Sequence, residues 1–247
     1  MDLLAQAPQR GADPAVANPA GGCMIEPRLD ILPDAQKEIW PSLAEIGDAF
    51  VLYGGTGLAL RLGHRTSLDF DFFSHHLLDN ERLFGLQLLD NAETLQRSED
   101  TLTVSIPTHA GDRVKLSFFG GIDVGRVGRP DQTEDGVVWV ASLRDLLAMK
   151  LAVLVQRISA RDYVDIAAIL VAGVPLADGL GAATALYGRV FPPLDAVKAL
   201  GYFDEGDAMN VDETTRDVLR RHTGSWNGSV SRIAKLSDSL SITNGVT

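Results

Sequence analysis

The chain has one cysteine, Cys23, among 247 residues, so it cannot close an internal disulfide and suits a reducing compartment. No apolar run approaches the ~18 residues that a membrane span needs. Basic residues are scarce: 22 Lys and Arg against 33 Asp and Glu leave a formal net charge of −11. That balance excludes a surface that clings to nucleic acid through its average field. A local basic patch is still compatible with such binding, because counterion release depends on the contacts made. These absences point to a cytoplasmic protein with no membrane partner. What is there, 45% hydrophobic and 22% charged residues, is an ordinary globular balance. The length can bury a real core, as one large domain or two smaller ones.

Residues 1–25 are expected to form a disordered tail, being rich in Ala, Pro and Gly with no helical or strand period. They lack the basic and apolar regions of a signal peptide. A second reading starts translation at Met24. "DAQKEIWPSLAEIG" (34–47) predicts a helix broken at Pro41. "FVLY" (50–53) is a short apolar strand that runs into Gly54-Gly55-Thr56, and "GLALRLG" (57–63) is a brief helix stopping at Gly63. "SLDFDFF" (67–73) alternates with period two, as a strand with one buried face does. A helix is expected over 80–90, with Leu83, Leu86 and Leu89 on its apolar side. Strands follow at "TLTVSIP" and "DRVKLSFFGG", joined by a turn at Ala110-Gly111, and at "GVVWV" (136–140).

Beyond residue 140 the pattern is helical. Ser142 followed by Asp145 has the form of a capping box and opens "LRDLLAMKLAVLVQRI". "ARDYVDIAAILVAG" is a second helix ending at Gly173, and "DGLGAATALYGRVF" and "DAVKALGYF" predict two more. The chain therefore reads as an α/β (α+β) domain with a small mixed sheet over 26–140, then an all-helical domain over 141–222. A weakly patterned C-terminal extension covers 223–247.

The densest chemistry lies in "YGGTGLALRLGHRTSLDFDFFSHH" (53–76). In a strand, Leu68, Phe70 and Phe72 share one face and Asp69 and Asp71 the other. The two carboxylates then stand roughly 6–7 Å apart at their base, close enough to share a cation. Mg²⁺ suits one or two carboxylates plus waters and substrate phosphates. Gly54 and Gly55, lacking Cβ atoms, let backbone N–H groups approach an anion, and the following helix aims its N-terminus at the same place. Thr56 can add a hydroxyl. The combination suits a nucleoside triphosphate whose phosphates are bridged by a metal. Taken singly, Gly-Gly-Thr is most often a turn and Asp-x-Asp a solvated strand face; their order over so short a span is far more specific.

"GGTGLALRLGHRTSLDFDFF" resembles the signature of the nucleotidyltransferase superfamily with the polymerase-β-like fold. More narrowly it is similar to the AbiEii/AbiGii toxin family, the enzyme half of bacterial type IV toxin–antitoxin and abortive-infection systems. "SLRDLLAMKLAVLVQR" (142–157) and "ARDYVDIAAIL" (160–170) extend the likeness, which covers roughly residues 33 to 205. The resemblance implies that Gly55 and Thr56 hold the β,γ-phosphates, that Asp69 and Asp71 ligate Mg²⁺ (or Mn²⁺), and that Lys150 reaches a triphosphate. It places Asp162 or Asp165 near the reacting groups, one of them catalytic, without saying which. It also implies an NTP substrate, a tRNA 3′ end as acceptor and a cognate antitoxin, while the acidic charge balance leaves a protein or small-molecule acceptor open.

The residues alone leave several readings open. Lys150 on an apolar helix face needs an anionic partner; it meets phosphate, snorkels, or pairs with Asp162 or Asp165 to staple two helices. His64 and Arg65 touch phosphate or nucleic acid, or are solvated loop residues. The family often has Asp where this chain has Ser117, on the face shared with Lys115 and Phe119. Three consequences follow as alternatives: the second metal arrives with the nucleotide, Asp123 substitutes, or the chemistry is lost. In the last case the chain is a catalytically impaired nucleotide-binding or partner-binding module rather than an enzyme.

Overall fold

Side chains that alternate along extended segments must separate into two faces, and here they divide one sheet between two cores. The computed structural model describes residues 24–242. The expected tail lies outside the described residues except for Met24–Ile25, which form strand β1. The other strands are β2 (Val51–Tyr53), β3 (Asp69–Phe73), β4 (Glu93–Arg97), β5 (Thr101–Pro107), β6 (Arg113–Phe119), β7 (Asp131–Thr133) and β8 (Trp139–Val140). They form a mixed sheet in the order β1-β7-β8-β2-β3-β6-β5-β4. Helices α1 (Asp34–Ile39), α2 (Gly54–Leu62) and α3 (Asn80–Phe84) belong to this half. Helices α4 (Leu143–Leu154), α5 (Ala160–Val171), α6 (Leu176–Tyr187), α7 (Pro193–Leu200) and α8 (Glu213–Gly224) follow. The fold is mixed α/β, as expected.

Phe70 and Phe72 of β3 and Leu116 and Phe118 of β6 are buried on one face, with Trp40 and Leu43 above them. The Phe72 and Phe118 rings stack at 5.6 Å. On the opposite face, Tyr53 and Leu58 join Leu147, Leu151 and Ile166 from α4 and α5. Burying a core side chain of this size contributes roughly 1.5–3 kcal/mol, so the two buried phenylalanines of β3, Phe70 and Phe72, fix which way its aspartates point. Leu68, expected on the core face, is 57% exposed instead. Pairing of β3 with β6 begins only at Asp69, so the sheet does not hold Leu68.

Some boundaries differ from the sequence pattern for local reasons. The expected break at Pro41 is present: α1 gives way to a 3-10 turn over Trp40–Ile46. The helix expected over 80–90 stops at Gly85, and only a 3-10 turn over Gln87–Leu89 continues it. Strand β4 was not legible, because all five of its residues are exposed at the sheet edge. Helix α8 buries only Val218 and Leu219, too narrow a stripe to announce a core helix. Past α8 the chain runs back along the body. Ser231 N donates to Ala177 O, Ser237 bridges to Arg126, and Leu240 is buried.

Among the described residues no single helix is long and apolar enough to cross a membrane. The pair Ala160–Val171 and Leu176–Val190 reaches that length only together, bent by 118°. Ile166, Ile169 and Leu180 within it are buried in the core.

Candidate active site

Strand β2 passes straight into α2 at Tyr53–Gly54, and the junction requires glycine twice. Gly54 has φ +69°, and a Cβ there would stand 2.6 Å from Asp71 Oδ2. A Cβ on Gly55 would meet Arg65 Nη2 at 2.7 Å and Ser67 Oγ at 2.8 Å. The helix thus begins at Gly54, not at residue 57 as the pattern predicts. Its first N–H groups have no intrahelical acceptor, which makes this end an anion-binding position. Gly63, at φ 59° in the left-handed region, stops the helix as expected.

Thr56 does something other than expected. It is wholly buried, and its hydroxyl donates to the backbone carbonyl of Asp69. It ties the glycine turn to β3 and does not line the cavity beside them. Thr56→Val is therefore expected to lower stability by about 1–2 kcal/mol while nucleotide affinity stays unchanged. Urea melts and equilibrium titration check the two halves of that prediction.

Asp69 and Asp71 project from one face of β3 into a cavity of about 660 Å³, which Gly54 and Gly55 also line. Parallel pairing with β6 sets Lys115 beside Asp69 and Ser117 beside Asp71. Lys115 Nζ lies 3.0 Å from Asp69 Oδ2 in a half-exposed ion pair. Burial, and then the charge of Asp69, push the Asp71 carboxyl above its usual range; Lys115, Lys150 and the Ser117 hydroxyl only partly oppose this. The pair is short of positive charge, which is the condition a bound cation relieves. Among the described residues no group of three or more His, Cys, Asp or Glu gathers as a ligand set. Two carboxylates fit a hard cation only if water and phosphate complete its shell.

The far wall comes from α4 and α5. Lys150 Nζ sits 2.7 Å from Asp162 Oδ1 and 2.6 Å from Asp165 Oδ2, so the lysine does staple the two helices. It also lines the cavity, as do Asp162, Arg65, Arg157 and Arg161. Both aspartates are buried, Asp162 at 2% exposure, and they differ in their partners and in that only Asp162 lines the cavity. Asp165 has no exposed surface and does not line the cavity. It accepts from His64 Nε2 at 2.7 Å, from Arg65 Nε at 2.7 Å and from Arg65 Nη2 at 2.8 Å. Burial alone would raise its carboxyl, but the bonds from His64 and Arg65 and the charges of Lys150 and Arg65 outweigh it. They hold Asp165 well below the usual carboxylate range. A carboxylate so saturated is a poor proton acceptor. Asp162 Oδ2, by contrast, is buried and accepts no hydrogen bond, with Arg157 Nε 3.7 Å away.

The remaining candidates fall into place around this division. His64 and Arg65 are neither solvated nor free, their side chains being 9% and 18% exposed against Asp165. Asp123 is an exposed residue 3.9 Å from His75 and does not line the cavity, so it does not substitute for a third carboxylate there. Two contributors had no sequence signal strong enough to find them. Lys115 needed the β3–β6 register, and Asp207, which accepts from Ala160 N at the start of α5, comes from a distant turn.

Comparison with known proteins gives a family match and a shared fold. Residues 41–221 match the family model of the nucleotidyl transferase AbiEii toxin of type IV toxin–antitoxin systems. An uncharacterised protein of Aquifex aeolicus (strain VF5) is 31% identical over 140 residues, which are 53% of this chain and 63% of that protein. The chain thus spans under two thirds of that relative's length. Among solved structures, MenT4, a nucleotidyltransferase toxin of Mycobacterium tuberculosis H37Rv, superposes with TM-score 0.58 at 15% identity. That match covers 78% of this chain and 83% of MenT4. A protein of H. pylori described as a nucleotidyltransferase gives TM-score 0.51 at 19% identity, over 77% of this chain and 90% of that one. At such identities the structural matches establish the fold alone.

Proposed function

Since the chain belongs to the AbiEii family of nucleotidyltransferase toxins, we propose that it moves a nucleoside monophosphate from an NTP to an acceptor hydroxyl, releasing pyrophosphate. The observation that carries this reading is the Asp71 carboxylate lying over Gly54, where any Cβ would clash. It joins a charge-poor carboxylate pair to an anion-binding helix end within one cavity. A divalent cation, Mg²⁺ or Mn²⁺, held by Asp69 and Asp71 would neutralise charge on the phosphates during transfer.

The chain's own residues supply the rest. The N–H groups of Gly54 and Gly55 hold the β,γ-phosphates, with the Arg65 guanidinium alongside. Lys150, fixed between two aspartates, presents its positive end to the triphosphate. Asp162, the member of the aspartate pair that lines the cavity, takes the proton of the attacking hydroxyl. The acceptor is a tRNA 3′ end or a protein, a cognate antitoxin restrains the enzyme, and both act in the cytoplasm.

One observation favours a second reading. Lys115 already offsets Asp69, and Ser117 stands beside Asp71 where the family often has a third carboxylate. On that reading the chain binds nucleotide or a partner without turnover. Incubation with labelled NTPs, Mg²⁺ and total tRNA or lysate separates the two. Label transfer that disappears in Asp69→Ala/Asp71→Ala supports the enzyme; nucleotide binding with no transfer to any acceptor supports the module.

A further inference from the structure

Strands β3 and β6 run parallel and in register, so the residues on the face of Asp69 and Asp71 form three rungs. Asp69 stands beside Lys115, Asp71 beside Ser117, and Phe73 beside Phe119. Each rung lies roughly 6–7 Å from the next. The first two are charged or polar; the third is aromatic, its rings stacked at 4.9 Å and 29°. Both phenylalanines are only partly buried and line the same cavity as the aspartates. The glycines belong to the opposite end of this ladder. In the antiparallel pairing of β2 with β3, Val51 lies beside Phe73 and Tyr53 beside Asp71. The chain therefore moves away from the aromatic rung as it enters Gly54 and Gly55.

The cavity floor is thus polarised along its length, with an anion-binding helix end and the carboxylates at one end and two aromatic rings at the other. A nucleoside triphosphate has the same polarity. We infer that Phe73 and Phe119 are the platform on which the nucleobase of the NTP stacks, an assignment that rests on the nucleotidyl-transfer reading of this site. Stacking on a ring face uses what every base has, and it discriminates little between them. Met149 and Val153, four residues apart on one side of α4, line the same cavity and offer a base edge no strong donor or acceptor. The stack and these two side chains thus carry no preference among the four bases.

Equilibrium titration with Mn²⁺ present tests this, using tripolyphosphate and the α,β-methylene analogues of the four NTPs. Phe119→Ala is expected to weaken the analogues about tenfold and to leave tripolyphosphate unchanged. Phe119→Trp keeps the ring and guards against a folding artefact. It should hold the affinity, and its added fluorescence should be quenched by the analogues and not by tripolyphosphate. Equal losses for both ligand types, or no loss for the analogues, overturn the platform. One analogue standing more than about tenfold above the others overturns its tolerance of the base. If the unaltered protein binds neither tripolyphosphate nor the analogues, the transfer reading itself fails and takes the platform with it.

Discussion

Asp71→Asn is expected to lower label transfer roughly a thousandfold, the scale of losing a preorganised charge at a reacting phosphate, while thermal stability stays level or rises. The two effects have one cause. Burial and the neighbouring Asp69 already disfavour the ionised carboxyl of Asp71, so a neutral isostere relieves the fold as it removes a cation ligand. A residue kept only for structure would behave in the opposite way. Gly54→Ala should reproduce much of the loss without touching a carboxylate. Its new Cβ would sit 2.6 Å from Asp71 Oδ2 at a φ of +69°. The backbone strain costs about 1–3 kcal/mol, and a misplacement of this size costs about a hundredfold in rate. Transfer rates and melts on both variants check the pair; an asparagine variant within tenfold of the parent would defeat the assignment.

The largest stability effect belongs to Asp165. Asp165→Asn leaves Arg65, Lys150 and His64 packed around a neutral amide, and breaking a buried pair in this way costs about 3–5 kcal/mol. Asp162→Asn should cost much less, because Asp165 still neutralises Lys150 at 2.6 Å. It should instead depress turnover by about 10²–10⁴, the range of a lost general base. Urea melts and single-turnover rates on the two variants therefore give opposite rankings. The pH dependence follows from the sign of the shift. The folded-state carboxyl of Asp165 titrates below its ordinary value of 3.8. Its stabilisation is complete above that value and is lost as pH falls through the depressed one. The parent should therefore lose stability in acid that the Asp165→Asn variant has already lost, so the gap between their melting temperatures narrows as pH drops below about 4.

Much of the architecture was legible because it rests on local chemistry. The period-two run Asp69-Phe70-Asp71-Phe72 required one buried face whatever packed against it, and Phe70 and Phe72 are indeed buried. Pro41 and Gly63 end helices through their backbones, and Ser142 caps one through its hydroxyl, which accepts from Asp145 N. Strand β4 and helix α8 were missed because their side chains bury little, and a pattern reading sees only burial.

The site shows the same division. Sequence alone determined that two carboxylates share a strand face beside a turn without side chains, since alternation and the absence of Cβ are properties of the chain itself. It could not rank Asp162 against Asp165, which are three residues apart on one helix and alike in composition. Only the tertiary structure separates the two, by bringing His64 and Arg65 about a hundred positions along the sequence to close around Asp165 while Asp162 stays on the cavity wall. Partner and solvent set the chemistry of a carboxylate, and those are supplied by residues far away in the chain.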